Sequence, residues 1–438
     1  MELYLREELS TNDCLHNVRM INQLNEVRFI NEHPEEGEVL RKNHVQNIIA
    51  YAKEHTKFYS QVKGSELSDF PVISKPIIRE NYADFLVPRH QIPGQIGALH
   101  IQHTSGSTGI PFSVPQDTCC RLRRVAGIKY GNERIGFQSF EPLAHIRSLK
   151  QYYVDKNEDI VHDHKSNITY FDNSCLDDLK MSRIVNEINK CKIRFIRGYM
   201  TSLDLITSYC KRNKIELTSQ PFFISVGESL PEYLRLRIID NLRCSIISQY
   251  GNEENGILGQ TEINGSGTRI ILNRASCFIE LLKMDEDTPV SKGELGRIVV
   301  TDFSNYALPF IRYDTGDIAA IGEIKDNVLY SIDKLIGRRT DLIYKTNGEL
   351  IDFVNSMPPA INNNLDVLQW QFIQHAAKTY TLKLLLRNDN LRKKAAYYTS
   401  LLENILGLDA DIKIDFVDGI PILSSGKRRL VICEYKNS

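Results

Sequence analysis

The amino-acid sequence predicts an α/β protein: a large N-terminal domain built on parallel sheet, followed by a small α+β domain. Three observations lead there. Short apolar runs alternate with helical periodicity through the middle of the chain. Near Gly337-Arg338-Arg339 the pattern changes to two paired runs, a helix and a further strand. A length of 438 residues is more than one compact core takes. The boundary is set at 337, giving domains 1–337 and 338–438, and the second is of ordinary size for an independent domain.

The elements follow in order. Val45, Ile48, Ile49 and Ala52 recur at helical spacing, with Tyr59 beyond the helix end. Residues 192–197 read as a strand through Ile193, Phe195 and Ile196, and 202–212 as a helix. Residues 222–226 are an apolar run bounded by Pro221 and Gly227, which is the signature of a buried strand. Ser229 reads as the N-cap of a helix with Pro231 in its first turn and Leu234, Ile238 and Leu242 on one face. Residues 244–248 are another apolar run, ending at Tyr250-Gly251. Strand, helix, strand, helix, strand argues for a parallel sheet with helical crossovers. Residues 297–301 are a later strand. In the second domain, 370–373 and 381–386 read as a hairpin, 391–406 as a helix and 412–417 as a strand.

Composition narrows the function. Hydrophobic content of 42% and charged content of 25% are those of an ordinary soluble globular chain. A formal net charge of −1 gives no electrostatic case for nucleic acid or an anionic membrane. No apolar run is long enough to span a bilayer. Residues 1–12 are charged and lack the apolar core of a secretory signal, so a cytoplasmic protein is expected. Nine cysteines are scattered without a Cys-x-x-Cys pair, and adjacent Cys119-Cys120 suits neither a metal nor an ordinary bridge; reduced thiols are expected. His162-Asp163-His164 could put two imidazoles on one strand face, but with no further ligand in sight it reads as a solvated turn.

The most informative stretch is His103-Thr104-Ser105-Gly106-Ser107-Thr108-Gly109-Ile110-Pro111. Glycine lets backbone approach a ligand closely, and hydroxyls and free N–H groups then surround an anion. The stretch is a candidate phosphate cradle; its bland reading is a Ser/Gly-rich surface turn. Two other phosphate fingerprints are absent. No segment supplies the P-loop pattern, and after Gly265 and Gly267 the place of a third dinucleotide-fold glycine is held by Ile270.

In parallel sheets, ligands sit beyond the carboxyl ends of strands. Gly227-Glu228 and Gln249-Tyr250-Gly251-Asn252-Glu253-Glu254 stand there. An acidic side chain at a strand end can hold Mg²⁺ against phosphates, or simply favour a helix start. Asp317, in Tyr313-Asp314-Thr315-Gly316-Asp317, could take both hydroxyls of a ribose, or close a hairpin turn. Gly426-Lys427-Arg428-Arg429 could meet a polyanion, or be a solvated basic turn.

Taken in sequence order, these pieces resemble the adenylate-forming ligase superfamily over roughly residues 40 to 432. The chain is most similar to the phenylacetate–CoA ligase-like branch, which includes capsular-polysaccharide-associated ligases. Ile49-Ala50-Tyr51-Ala52, Phe58-Tyr59, Phe70-Pro71-Val72-Ile73-Ser74-Lys75, Gly227-Glu228 and Arg312-Tyr313 carry that closer likeness. The resemblance implies an AMP-forming ligase that joins a carboxylic acid to ATP, releases pyrophosphate, and passes the acyl group on. Coenzyme A is the implied acceptor, with an amine, a hydroxyl or a carrier-protein thiol as competitors. Adenylyl transfer in a polysaccharide or natural-product pathway is a further alternative, and an inactive nucleotide-binding homologue is another.

The implied roles fall on matching positions. Thr104, Ser105, Gly106, Ser107, Thr108 and Gly109 would embrace the ATP phosphates. Gly227 and Glu228 would line the adenine, with Tyr250 and Gly251 beside it. Glu254 would bind Mg²⁺, Asp317 the ribose, and Arg338 would sit by the nucleotide at the domain junction. Lys427, on a small mobile domain, would reach the carboxylate and α-phosphate in the first half-reaction only. No nucleic acid or membrane partner is implied, and a homodimer is compatible. The chain departs from the pattern at Phe112, where a lysine is frequent outside this branch, at Glu253, where Thr or Ser is usual, and at Thr340, where Asp is common and Asp341 is the alternative. Tyr130, Phe137, Phe140 and His145 either approach the acyl pocket or pack in the core.

Overall fold

The computed structural model describes residues 14–104, 112–149, 159–265, 268–325, 328–423 and 426–435. The chain forms two compact units: 1–140, 249–262 and 269–335 in the first, and 141–248, 263–268 and 336–438 in the second. The α/β class expected from the sequence is the class observed.

The first unit combines helices with antiparallel strands. The Pro34–His55 helix carries the expected face, burying Ile48, Ile49 and Ala52. Ile49 and Ala52 make one core with Tyr59, Phe70, Ile73, Phe85, Phe310 and Tyr313. A second core lies under the strands Gly256–Gln260, Ile270–Leu272, Cys277–Leu282, Leu295–Asp302 and Tyr313–Ile321, and it includes Tyr250. The Thr118–Glu133 helix is capped by Asp117, whose carboxylate accepts from Cys120 N–H at 2.9 Å. Its buried face, Leu122, Val125 and Ala126, packs on Met20, Val27 and Ile30 of the Cys14–Glu32 helix.

The second unit holds the parallel sheet read from the sequence. Phe222–Val226 pairs in parallel with Phe195–Tyr199, that strand with Leu143–Arg147, and that in turn with Ile168–Asp172. Ile160–Asp163 closes the edge in antiparallel register. The helices Asp178–Lys190 and Met200–Asn213 bury Met181, Ile184, Leu203 and Ile206 against Ile196 and Phe223. The same unit carries a four-stranded sheet in the order Asp411–Phe416, Thr379–Leu386, Val367–Ala376, Val431–Cys433. The Ala395–Leu406 helix buries Tyr398, Leu402 and Leu406 against Trp370, Phe372 and Leu382.

Several boundaries move, each for a local reason. Lys192 is a left-handed turn residue (φ 48°), so the expected 192–197 strand starts at Phe195. The helix expected to be capped at Ser229 has Pro231 as its N-cap and covers only Glu232–Leu236. Arg237–Asn241 then widens into a π-turn, which takes Leu242 out of the regular helical face. The strand expected over 244–248 is Ile246–Asn252, so Tyr250 and Gly251 lie within it. The turn reading of Thr315-Gly316-Asp317 is wrong: these residues belong to the Tyr313–Ile321 strand.

The eight cysteines with described side chains are all free. Burial pushes the Cys119 and Cys210 thiols up to about 12 and Cys244 to about 11, so they are unreactive at neutral pH. His162 lies in a strand rather than a turn. Its ring is 6.0 Å from that of His164 and its Nε2 is 3.6 Å from Glu187. No group of His, Cys, Asp and Glu among the described residues is arranged to hold a metal. Among them, too, no helix is long and apolar enough to cross a membrane.

Candidate functional site

In the first unit, sequence-distant polar groups converge on the strand Ile246–Asn252 and the turn after it. Opposite Leu295–Asp302, the Tyr313–Ile321 strand carries two extra residues: Arg297 pairs with Ile318, but Val299 pairs with Asp314. Gly316, at φ 78°, makes this bulge possible. Asp314 Oδ1 accepts the Gly316 N–H at 2.8 Å and Thr315 Oγ1 accepts the Asp317 N–H at 3.2 Å. The bulge presents Asp317 to Tyr250, whose hydroxyl donates to Asp317 Oδ2 at 2.9 Å. Both residues are buried.

Gly251 has a packing reason to be glycine. A Cβ there would stand 2.3 Å from the Gly256 carbonyl oxygen across a register shift in the hairpin. Glu254 is 2% exposed. Its carboxylate is met by Lys75 Nζ at 2.6 Å and by the Tyr313 hydroxyl at 3.3 Å. Arg124 fixes the backbone by donating to the carbonyls of Glu253 (2.8 Å) and Glu254. Lys75 entered the sequence reading only as part of a resemblance; nothing local to Glu254 names it as the partner. Asn255 is 3% exposed, and both atoms of its amide lack a hydrogen-bond partner. That is an unmet polar demand which a ligand, ion or water would satisfy. Glu254 offers one carboxylate, the kind of hard ligand through which Mg²⁺ is commonly held together with substrate phosphates.

In the second unit, the C-terminal end of the parallel sheet meets the segment 426–428. Gly227 follows the Phe222–Val226 strand at φ 72°. A Cβ on it would stand 3.0 Å from Lys427 Cε, 3.1 Å from Lys427 Nζ and 3.1 Å from the Tyr199 ring. Lys427 thus lies across Gly227, its ammonium 5.5 Å from the Tyr199 ring centroid, within cation–π range. Glu228 accepts from Thr201 N–H at 2.9 Å and from its hydroxyl at 3.2 Å, at the start of the Met200–Asn213 helix. It also accepts the Arg428 backbone N–H. Burial pushes the Glu228 carboxyl up, against the pull of Thr201, Lys427 and Arg428. Arg338 ends the Ser331–Arg338 strand, half-buried. After it, Asp341 pairs with Arg429; burial raises its carboxyl while Arg429 and Arg338 lower it.

Ser105, Gly106, Ser107, Thr108 and Gly109 lie outside the described residues. Thr104 ends the His100–Thr104 strand, which pairs with Phe112–Gln116. Among the acyl-pocket candidates, Phe137 is buried and Tyr130 packs beside the Leu122–Val125 core. Phe140 is 55% exposed at φ 71°, and His145 lies 5.8 Å from the Tyr170 ring.

By fold the chain is similar to solved acyl-CoA ligases. It aligns over 91% of its length with 90% of a 2-hydroxyisobutyryl-CoA ligase solved in the postadenylation state with an acyl-AMP, at TM-score 0.66 and 16% identity. An amide bond synthetase, McbA from Marinactinospora thermotolerans, is similar over 75% of this chain and 66% of its own, at TM-score 0.53 and 12% identity. Residues 343–434 match the family model described as the CapK C-terminal domain. Among curated proteins, Protein CapK of Staphylococcus aureus is 24% identical over 427 residues, 91% of this chain and 89% of that protein.

Proposed function

We propose that this chain is an AMP-forming ligase. A carboxylate oxygen attacks the α-phosphorus of ATP, the bond to the β-phosphate oxygen breaks, and pyrophosphate leaves an acyl-adenylate. The acyl group then passes to the thiol of coenzyme A, releasing AMP. The observation that carries this reading is Lys427, a cation laid across Gly227 beside the end of a parallel strand. Two anions must meet in this reaction, so its barrier is largely charge repulsion and alignment, which positioned cations lower without a general base. In this reading Asp317, oriented by Tyr250, takes the ribose hydroxyls. Glu254 would hold Mg²⁺, which would supply charge neutralisation to the phosphates. Gly227 and Glu228 line the adenine, Arg338 sits by the nucleotide, residues 104–109 hold phosphates, and 338–438 act as the small mobile domain.

Coenzyme A as acceptor is supported by similarity to a CoA ligase over nine-tenths of both chains. The likeness to an amide bond synthetase favours a second reading, transfer to an amine. The resemblance to capsular-polysaccharide-associated ligases makes a polysaccharide precursor a candidate acid or acceptor. A hydroxylamine-trapping screen across carboxylic acids tests the first step whatever the final acceptor. A hydroxamate that requires both ATP and a particular acid supports the reading. ATP binding without hydroxamate or pyrophosphate from any acid would leave an inactive nucleotide-binding homologue.

A further inference from the structure

Lys427 is held by its neighbours on both sides. Before it, the Gly426 carbonyl accepts from Asn173 Nδ2 at 2.8 Å, while the same amide nitrogen reaches Ser202 Oγ at 3.2 Å. After it, the Arg428 N–H is taken by the Glu228 carboxylate, which also holds Thr201. Asn173 is completely buried. It sits at the end of the Ile168–Asp172 strand, its own N–H donating to the Arg147 carbonyl at 3.1 Å. The preceding Asp172 is a rigid support: its carboxylate accepts from Leu149 N–H and Ser174 N–H, each at 3.0 Å, and meets Lys180 Nζ at 2.8 Å.

The fit leaves no slack. Gly426 has φ 85°, and a Cβ there would stand 2.9 Å from Asn173 Oδ1 and 3.2 Å from the Ser148 Cβ. The glycine before the lysine is therefore required twice, by backbone conformation and by the approach of Asn173. One buried amide and one carboxylate thus fix the peptide groups flanking the lysine, and the Gly227 surface receives its side chain.

We infer that Asn173 and Glu228 are positioning residues that berth Lys427 for the first half-reaction. The inference rests on the proposed function for its kinetic part; the berth itself stands apart from it. Asn173→Ala and the near-isosteric Asn173→Asp, which cannot donate to the Gly426 carbonyl, both remove the tether. The first readout is the rate at which an amine-reactive ester labels Lys427, followed by mass spectrometry on the full chain. That rate rises about 5- to 10-fold in both variants, the worth of one ordinary hydrogen bond. ATP–pyrophosphate exchange falls by a similar factor, while thiolysis of supplied acyl-adenylate is unchanged.

Labelling at the wild-type rate in a folded variant overturns the inference. So does an equal fall in both half-reactions, because a merely structural residue would move them together. The Asp variant guards against misfolding of the Ala variant, with melting temperatures compared first. Should wild-type protein activate no acid, the proposed function fails, yet faster labelling of Lys427 would still establish the berth.

Discussion

At the scale of single residues, the pair formed by Lys75 and Glu254 has the sharpest consequence. Glu254 is almost fully buried and Lys75 is its cation. Removing one member of such a pair leaves a charge without compensation in a poorly solvated place, which costs more than the intact pair contributes. Lys75→Met should destabilise the first unit by about 3 kcal/mol. Glu254→Gln in the same chain should recover most of that loss, and urea unfolding of the two single variants and the double one measures it. Equal and additive losses would mean that the two side chains do not couple. The pair also marks a limit of reading residues from sequence. Tyr250, Glu254, Asp317 and Lys427 stand out in the sequence because each belongs to a short motif with its own composition, although Tyr250 and Asp317 lie within strands. Lys75 has no local signature: its role exists only through a contact with a residue far along the chain. Asn173 was invisible for the same reason, since an asparagine after a strand is ordinarily a turn residue.

At the scale of elements, position was legible and boundaries were not. The strand Phe222–Val226 appears where its apolar run and flanking Pro221 and Gly227 put it. The strand carrying Asp317 was mistaken for a turn because Thr-Gly-Asp composition is shared by turns and bulges. Only the Arg297–Ile318 and Val299–Asp314 register reveals the bulge. Nothing lies within 4 Å of where a Gly316 Cβ would be, so replacement there strains the backbone alone. Gly316→Ala should cost about 1–2 kcal/mol and weaken ATP binding by mis-aiming Asp317. Gly316→Asn, which tolerates positive φ, should lose less of both. Thermal melts and ATP titration compare them, and an Ala variant indistinguishable from wild type would deny the bulge its aiming role.

The Cys14–Glu32 helix offers a pH test on the same scale. Burial alone would raise Glu26, but the hydrogen bond from His44 (2.8 Å) and the Arg123 guanidinium hold its carboxyl at about 2 instead of 4.5. A depressed carboxyl stabilises the fold fully above pH 4.5 and loses that contribution as pH falls through about 2. Hydrogen exchange along this helix should therefore accelerate between those values. In Glu26→Gln the acceleration should be absent, with protection already reduced at neutral pH.

At the scale of the whole molecule, the residues proposed for the reaction are divided between the two units. Asp317, Tyr250 and Glu254 belong to the first, and Lys427 to the second. Binding and turnover should then be separable by variants. A ligand that binds only the folded chain adds stability that grows with its concentration, about 2.7 kcal/mol at one hundred times its dissociation constant. If the first-unit groups hold the nucleotide and Lys427 acts on the reacting phosphorus, Lys427→Ala should keep most of the ATP-dependent rise in melting temperature. Its pyrophosphate exchange should nevertheless fall by about 10²–10³, the loss seen when one donor to a developing charge is removed. Asp317→Ala should behave in the opposite way, losing the melting-temperature rise at the same ATP concentration while recovering exchange as ATP is increased. Both measurements use the same full-length protein and the same nucleotide titration. If Lys427→Ala abolishes the thermal response along with exchange, the lysine is a ground-state anchor for ATP, and its placement across Gly227 serves affinity rather than the displacement at phosphorus.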